Sequence, residues 1–182
     1  MNRAMKSRNV LVAAVVIAAM LLPNILASAG RELTNCNQAA LPQPKPKRIS
    51  TSELKNLRWI EGTWRGTGDV QKPFFERYYF ENDSTLAVET FTDETLTKVE
   101  DVTRFELKDG QLGNSGEGAR WVATQLDKKS ITFEPISHAR NTFRWERQSK
   151  KLWKAVLNWP ATAKAPAKQK VYQMERLPSP KH

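Results

Sequence analysis

From Ile60 to Leu177 the apolar residues of this 182-residue chain recur with a period of two, in short runs separated by clusters of turn formers. That period puts alternate side chains on opposite faces of a pleated strand, a pattern no amphipathic helix accommodates. It predicts nine strands, over residues 60–68, 73–81, 85–92, 97–107, 119–127, 130–136, 142–148, 152–159 and 169–177. Turns between them are supplied by Asn82-Asp83-Ser84, Lys108-Asp109-Gly110, the glycine-rich Gly113 to Gly118, Asp127-Lys128-Lys129 and Ser149-Lys150-Lys151. Connections this short join antiparallel neighbours, because a parallel pair needs a crossover of roughly a dozen residues or more. Closing the meander removes its two exposed edges, so the expected fold is all-β, an antiparallel up-and-down barrel of about 8–10 strands.

The alternation also assigns faces. Trp153, Ala155, Leu157 and Trp159 share one side of their strand, and Phe143 and Trp145 share one side of theirs. In the last strand Tyr172, Met174 and Arg176 stand together, with Gln173 and Glu175 opposite. Ile60, Gly62, Trp64 and Gly66 form a common face at the other end of the chain, so Trp64 and Arg176 can meet inside. The face of Arg104 stays ambiguous: it sides with Val102, against Val99, Asp101, Phe105 and Leu107.

Ahead of the strands, Ser50-Thr51-Ser52-Glu53 has capping-box spacing, with Leu54 and Leu57 on one helical face, which predicts a short helix leading into the barrel. Before it, Pro42, Pro44 and Pro46 alternate with Gln43, Lys45 and Lys47, the composition of an extended, solvated linker over 30–49. Residues 1–29 have the tripartite layout of a secretory signal: basic Arg3, Lys6 and Arg8, the apolar run Val10 to Leu22, and the small-residue site Ala27-Ser28-Ala29. The run is shorter than the roughly 20 residues of a membrane span and ends at Pro23. The expected organisation is therefore a signal peptide over 1–29, the linker, a barrel domain over 50–178 and a tail over 179–182, with the mature chain periplasmic or secreted. Cys36 is the only cysteine and reads as a spectator thiol in the linker.

Those first 29 residues hold three of the 29 Lys+Arg and none of the 19 Asp+Glu, so the remainder carries 26 basic residues against 19 acidic ones, a formal +7. Export removes nucleic acid as a partner; the basic balance instead suits solubility or attraction to an anionic envelope polymer or membrane surface.

The stretch Leu57-Arg58-Trp59-Ile60-Glu61-Gly62-Thr63-Trp64-Arg65-Gly66-Thr67-Gly68, with Arg176 in the last strand, resembles the signature of the calycins, the lipocalin-like barrels. That resemblance implies that Arg176 packs over the Trp64 indole and closes the barrel base. The same opening is similar to that of nitrobindin-type barrels and of a family of exported bacterial lipocalin-like domains of unknown function. The latter carry a Phe-Glu-Asn-Pro-x-His segment, to which Phe133-Glu134-Pro135-Ile136-Ser137-His138 is similar, with the proline shifted and no Asp-Phe-Pro after the histidine. The nitrobindin branch implies haem on a C-terminal axial histidine. Here Lys170-Val171-Tyr172-Gln173-Met174-Glu175 contains none, so no cofactor is expected.

Catalytic chemistry finds little footing. Gly113-Asn114-Ser115-Gly116 has Glu117 where a nucleophile elbow needs glycine. His138 and His182 are the only imidazoles, and neither His-Glu-x-x-His nor paired Cys-x-x-Cys occurs, so no metal site is expected. The acidic residues Glu89, Asp93, Glu94, Glu100 and Asp101 read as a solvated hairpin, without calcium-loop spacing.

The leading expectation is a non-enzymatic exported barrel that binds a small, mostly apolar molecule, including one with an acidic head. Trp145 and Tyr172 would supply aromatic contact, while Glu134 orients His138 at a strand end to fix the ligand. The competing view of that pair is an exposed loop histidine and a glutamate paired with a neighbouring arginine. The alternative function is an envelope-associated interaction protein with a packed barrel and a basic surface; a haem-binding barrel and a cavity isomerase rank below it.

Overall fold

The computed structural model describes residues 44–68, 71–115 and 118–178. The predicted signal peptide, Cys36, most of the linker and the tail with His182 lie outside the described residues. A four-residue α-helix, α1 (Thr51–Leu54), runs into a 3-10 turn (Lys55–Ile60), and ten strands follow. They are β1 (Gly62–Gly68), β2 (Gln71–Asn82), β3 (Thr85–Phe91), β4 (Val99–Lys108), β5 (Gln111–Ser115), β6 (Arg120–Leu126), β7 (Ser130–Ser137), β8 (Thr142–Arg147), β9 (Leu152–Trp159) and β10 (Lys168–Arg176). Each pairs antiparallel with its sequence neighbour, and β1 pairs with β10, so the sheet closes as a barrel without a free edge.

Nine of these strands lie close to their expected positions. The tenth, β5, occupies part of the segment read as a glycine-rich turn. Gly113 is required there as strand, not turn: a Cβ on it would stand 2.7 Å from the Trp121 carbonyl oxygen.

Chain direction gives the barrel two distinct ends. The β2–β3, β4–β5, β6–β7 and β8–β9 hairpins gather at one end, together with Gly62 and Arg176. The N-terminal segment plugs this end. Ser50 caps α1 in a full capping box with Glu53, and Leu54, Leu57 and Ile60 are completely buried. The docking begins earlier than the linker boundary at 49: Lys47 N–H donates to the Ala123 carbonyl (2.9 Å), Ile49 N–H to that of Gly110 (2.8 Å), and Ile49 belongs to the core.

At the plugged end Arg176 lies over Trp64, its guanidinium carbon 4.1 Å from the ring centroid. Its Nη1 donates to the Glu61 carbonyl (2.6 Å), Nη2 to that of Trp59 (3.0 Å) and Nε to that of Lys150 (3.0 Å). One side chain thus ties the plug, β1 and the β8–β9 hairpin together. Gly62 makes room for it, since a Cβ there would fall 2.2 Å from Arg176 Nη1, and its φ of +128° independently favours glycine.

Candidate functional site

The inward face of β2 carries Phe74, Glu76, Tyr78 and Phe80 in alternation. Glu76 is therefore an acid inside the barrel, 2% exposed, on a strand between Trp64 of β1 and Thr90 of β3, its register partners. Its carboxylate accepts a 2.6 Å hydrogen bond from the Tyr78 hydroxyl. Burial disfavours the charged form and pushes the Glu76 carboxyl up to about 7, against the downward pull of that bond. The same burial, joined by the adjacent carboxylate, holds the Tyr78 phenol well above its ordinary range.

Tyr78 is the hinge between this carboxyl and the aromatic interior. Its ring meets Trp145 and Trp153 edge to face, at 5.7 and 5.5 Å, and the two indoles lie 6.0 Å apart. Among the described residues both indole Nε1 donors are buried without a hydrogen-bond acceptor, as is Trp59 Nε1 at the plugged end. That is unusual for buried polar groups, of which roughly nine in ten are paired. By contrast, Trp64 Nε1 donates to the Ile60 carbonyl (2.7 Å) and Trp121 Nε1 to that of Asn141 (2.8 Å). Phe105, Phe133 and Phe143 extend the aromatic wall, with ring centroids 4.6 to 6.3 Å apart. The interior thus joins a carboxyl, a phenol and two spare donors to an apolar, polarisable lining.

Toward the other end of the barrel, Phe74 and Tyr172 pack edge to face at 5.6 Å. They lie across β1, where Gly66 and Gly68 leave the space: added Cβ atoms would stand 2.0 Å from the Phe74 ring and 2.8 Å from that of Tyr172. Every inward position of β1 except Trp64 is a glycine covered by a large side chain from a neighbouring strand.

The structure brings only part of the sequence-derived set together. Trp145 stands in the interior cluster, and Tyr172 covers β1 on the other side of Glu76, buried, with its phenol shifted upward by that burial. Glu134 does not join them. Ile131, Phe133 and Pro135 face inward, so Glu134 points outward, where it accepts from the Thr124 hydroxyl (3.1 Å) rather than from an arginine. His138 sits beyond the end of β7, exposed, with φ +55°, and its Nδ1 shares a 2.8 Å hydrogen bond with the Ser137 hydroxyl. Glu134 and His138 are therefore corrected as a ligand-orienting pair: they serve different neighbours outside the interior. Arg104 also faces outward and forms a bidentate ion pair with Glu81.

Outside the barrel, Thr142, Asn158, Trp159, Pro160, Ala167, Lys168 and Gln169 line a cleft of about 510 Å³ beside the β9–β10 connection. Gln169 Nε2 donates to Asn158 Oδ1 (2.8 Å) within it. No group of three metal-ligating side chains occurs among the described residues.

No protein-family model and no curated protein matches this chain. Two solved structures are similar at 12% identity. EF1p2_mFAP2b bound to DFHBI aligns over 70% of this chain and 100% of its own, with a TM-score of 0.36. A redesigned β-barrel aligns over 66% and 93%, with a TM-score of 0.32. The closed antiparallel barrel rests on the strand pairing described above.

Proposed function

We propose that this protein is a non-catalytic, lipocalin-like barrel that binds a small, mostly apolar molecule in its interior, and that it acts outside the cytoplasm after loss of residues 1–29. The observation that carries this reading is the Glu76–Tyr78–Trp145–Trp153 cluster: a buried carboxyl and two buried, unpartnered indole donors set in aromatic walls. A barrel selected only for packing gains nothing from such groups, since each costs desolvation and an apolar residue of similar volume would fill the space without it. A binding site needs a few polar groups on an apolar lining to fix orientation.

The competing function, a packed barrel acting through a basic surface, draws on the close ring contacts and on the formal +7 beyond residue 29. A cavity isomerase would use the same Glu76 carboxyl, poised near neutrality for proton transfer. It would also need a second group at the reacting atom, and the Tyr78 hydroxyl is already engaged by Glu76.

Native mass spectrometry of the protein purified from its own host, before and after denaturation, tests the proposal. The expected result is a stoichiometric small-molecule adduct that is released on unfolding. A bare barrel that retains an anionic polymer, with binding lost at high salt, would replace it with the surface-binding function.

A further inference from the structure

We infer that the interior site selects a small apolar cation, an alkyl- or arylammonium group, over a neutral or acidic molecule of the same shape. The inference rests on the interior-binding reading above and reverses the acidic head that the sequence allowed.

Its basis is the charge balance around Glu76. The carboxyl is buried, its protein donor is the neutral Tyr78 hydroxyl, and no ion pair to it occurs among the described residues. Strand parity turns few other charged or titratable groups inward. Arg176 and Arg147 lie at the plugged end, held by the carbonyls of Glu61, Trp59 and Lys150 and by that of Ser149. Tyr172 lies on the other side of Glu76, and Lys72, Lys168, Lys170 and Asp101 stand near the opposite rim, exposed or half-buried. β1, β3 and β9 contribute none.

A carboxylate buried without a cation is costly, and a partner charge in the same low-dielectric space offsets that cost. The walls favour the same sign. Ring faces carry the negative part of the aromatic quadrupole and attract cations, most strongly for tryptophan, and quaternary ammonium groups are bound in aromatic cages on this principle. The Glu76 carboxyl accepts from the Tyr78 hydroxyl, and the Tyr78 ring packs edge to face with Trp145 and Trp153, so the acid joins this aromatic cluster through Tyr78, whereas an acidic ligand would meet Glu76 as a like charge.

The test uses phenyltrimethylammonium, its neutral isostere tert-butylbenzene, and benzoate, titrated into the intact protein at pH 6 and pH 8 and read by tryptophan fluorescence. The ammonium probe is permanently charged, so any pH dependence belongs to the protein. A cation binds the ionised carboxyl, and for a group titrating near 7 the ionised fraction rises from about 0.1 to about 0.9 over this interval. Phenyltrimethylammonium should therefore bind about tenfold more tightly at pH 8 than at pH 6, and more tightly than either comparison probe at pH 8. Glu76→Gln, with its fold checked by near-UV circular dichroism, should remove both the pH dependence and the preference for charge.

Equal or tighter binding of tert-butylbenzene at pH 8 would overturn the cation assignment while leaving interior binding standing. Preferred benzoate, or a pH-independent ammonium affinity, would overturn it as well. Absence of binding by all three probes would also sink it, and a native adduct from the host protein would then show that the interior takes another class. The comparison among probes needs no variant, so a misfolded Glu76→Gln does not remove the test.

Discussion

Glu76 and Arg176 are both polar groups held where apolar ones are the rule. Glu76 keeps a raised carboxyl because the barrel denies it water. The sign of the linkage follows: with a folded value near 7 against an ordinary 4.5, its contribution to stability is greatest below 4.5. That contribution declines as pH rises toward 7 and is flat above it. The difference corresponds to roughly 3 kcal/mol. Glu76→Gln should therefore raise the melting temperature over the parent at pH 8 and change it little at pH 4.5, a difference that thermal unfolding at the two pH values reads directly. Arg176 acts in the opposite sense, as a charge whose hydrogen bonds go to backbone carbonyls. Arg176→Ala would remove the cation–π contact and leave three carbonyls without their donor, costing about 2–4 kcal/mol. Denaturant unfolding should show that loss, and an unchanged midpoint would contradict the closing role. Arg176 was legible in sequence because strand parity put it on a face with Tyr172 and Met174. Glu76 was not, because Phe74-Phe75-Glu76-Arg77-Tyr78-Tyr79-Phe80 presents aromatics and one charge on each face, so parity alone could not choose the inner one. The structure resolves it: Arg77 is exposed, paired with Glu89 and lying over Phe91 and Tyr79 on the outside.

Among the elements, the alternation marked strands well wherever one face was uniformly apolar. Trp153, Ala155 and Leu157 in β9 are fully buried as expected, and Phe143 and Trp145 in β8 likewise. It failed at β5, where a five-residue strand carries Leu112 and Asn114 inward around Gly113, and glycine reads as turn. Asn114 is fixed instead by tertiary contacts, with its Oδ1 accepting from the Trp121 amide (2.7 Å). The Glu134 and His138 assignment failed for a related reason. A four-residue spacing keeps two positions on one face only while the strand lasts, and β7 ends at Ser137. The N-terminal element shows composition misleading at its last step. Lys-Pro alternation predicts solvated chain, yet Ile49 is 3% exposed and part of the core. Chains beginning at Pro44 and at Ser50, compared in thermal unfolding, separate these two expectations. The one beginning at Ser50 should lose about 1.5–3 kcal/mol, the value of burying one such side chain, together with two backbone hydrogen bonds. Equal stability of the two truncations would show that residues 47–49 are not part of the folded unit.

Taken whole, the described residues form a closed sheet with one plugged end and an aromatic interior that holds one buried acid, Glu76. Fold class followed from short antiparallel connections, which leave closure as the way to remove both edges. Site chemistry did not, because it depends on which of two mixed faces turns inward and on which buried donors fail to find partners; only packing in three dimensions fixes these. Everything proposed about binding depends on Glu76 being inside and out of water. The most direct check is a 13C NMR titration of the Glu76 side-chain carboxyl in the intact, folded protein, assigned by comparison with Glu76→Gln. The expected midpoint lies near 7 and moves downward when phenyltrimethylammonium is bound. A midpoint near 4.5, the value of a solvated glutamate, would contradict a buried Glu76.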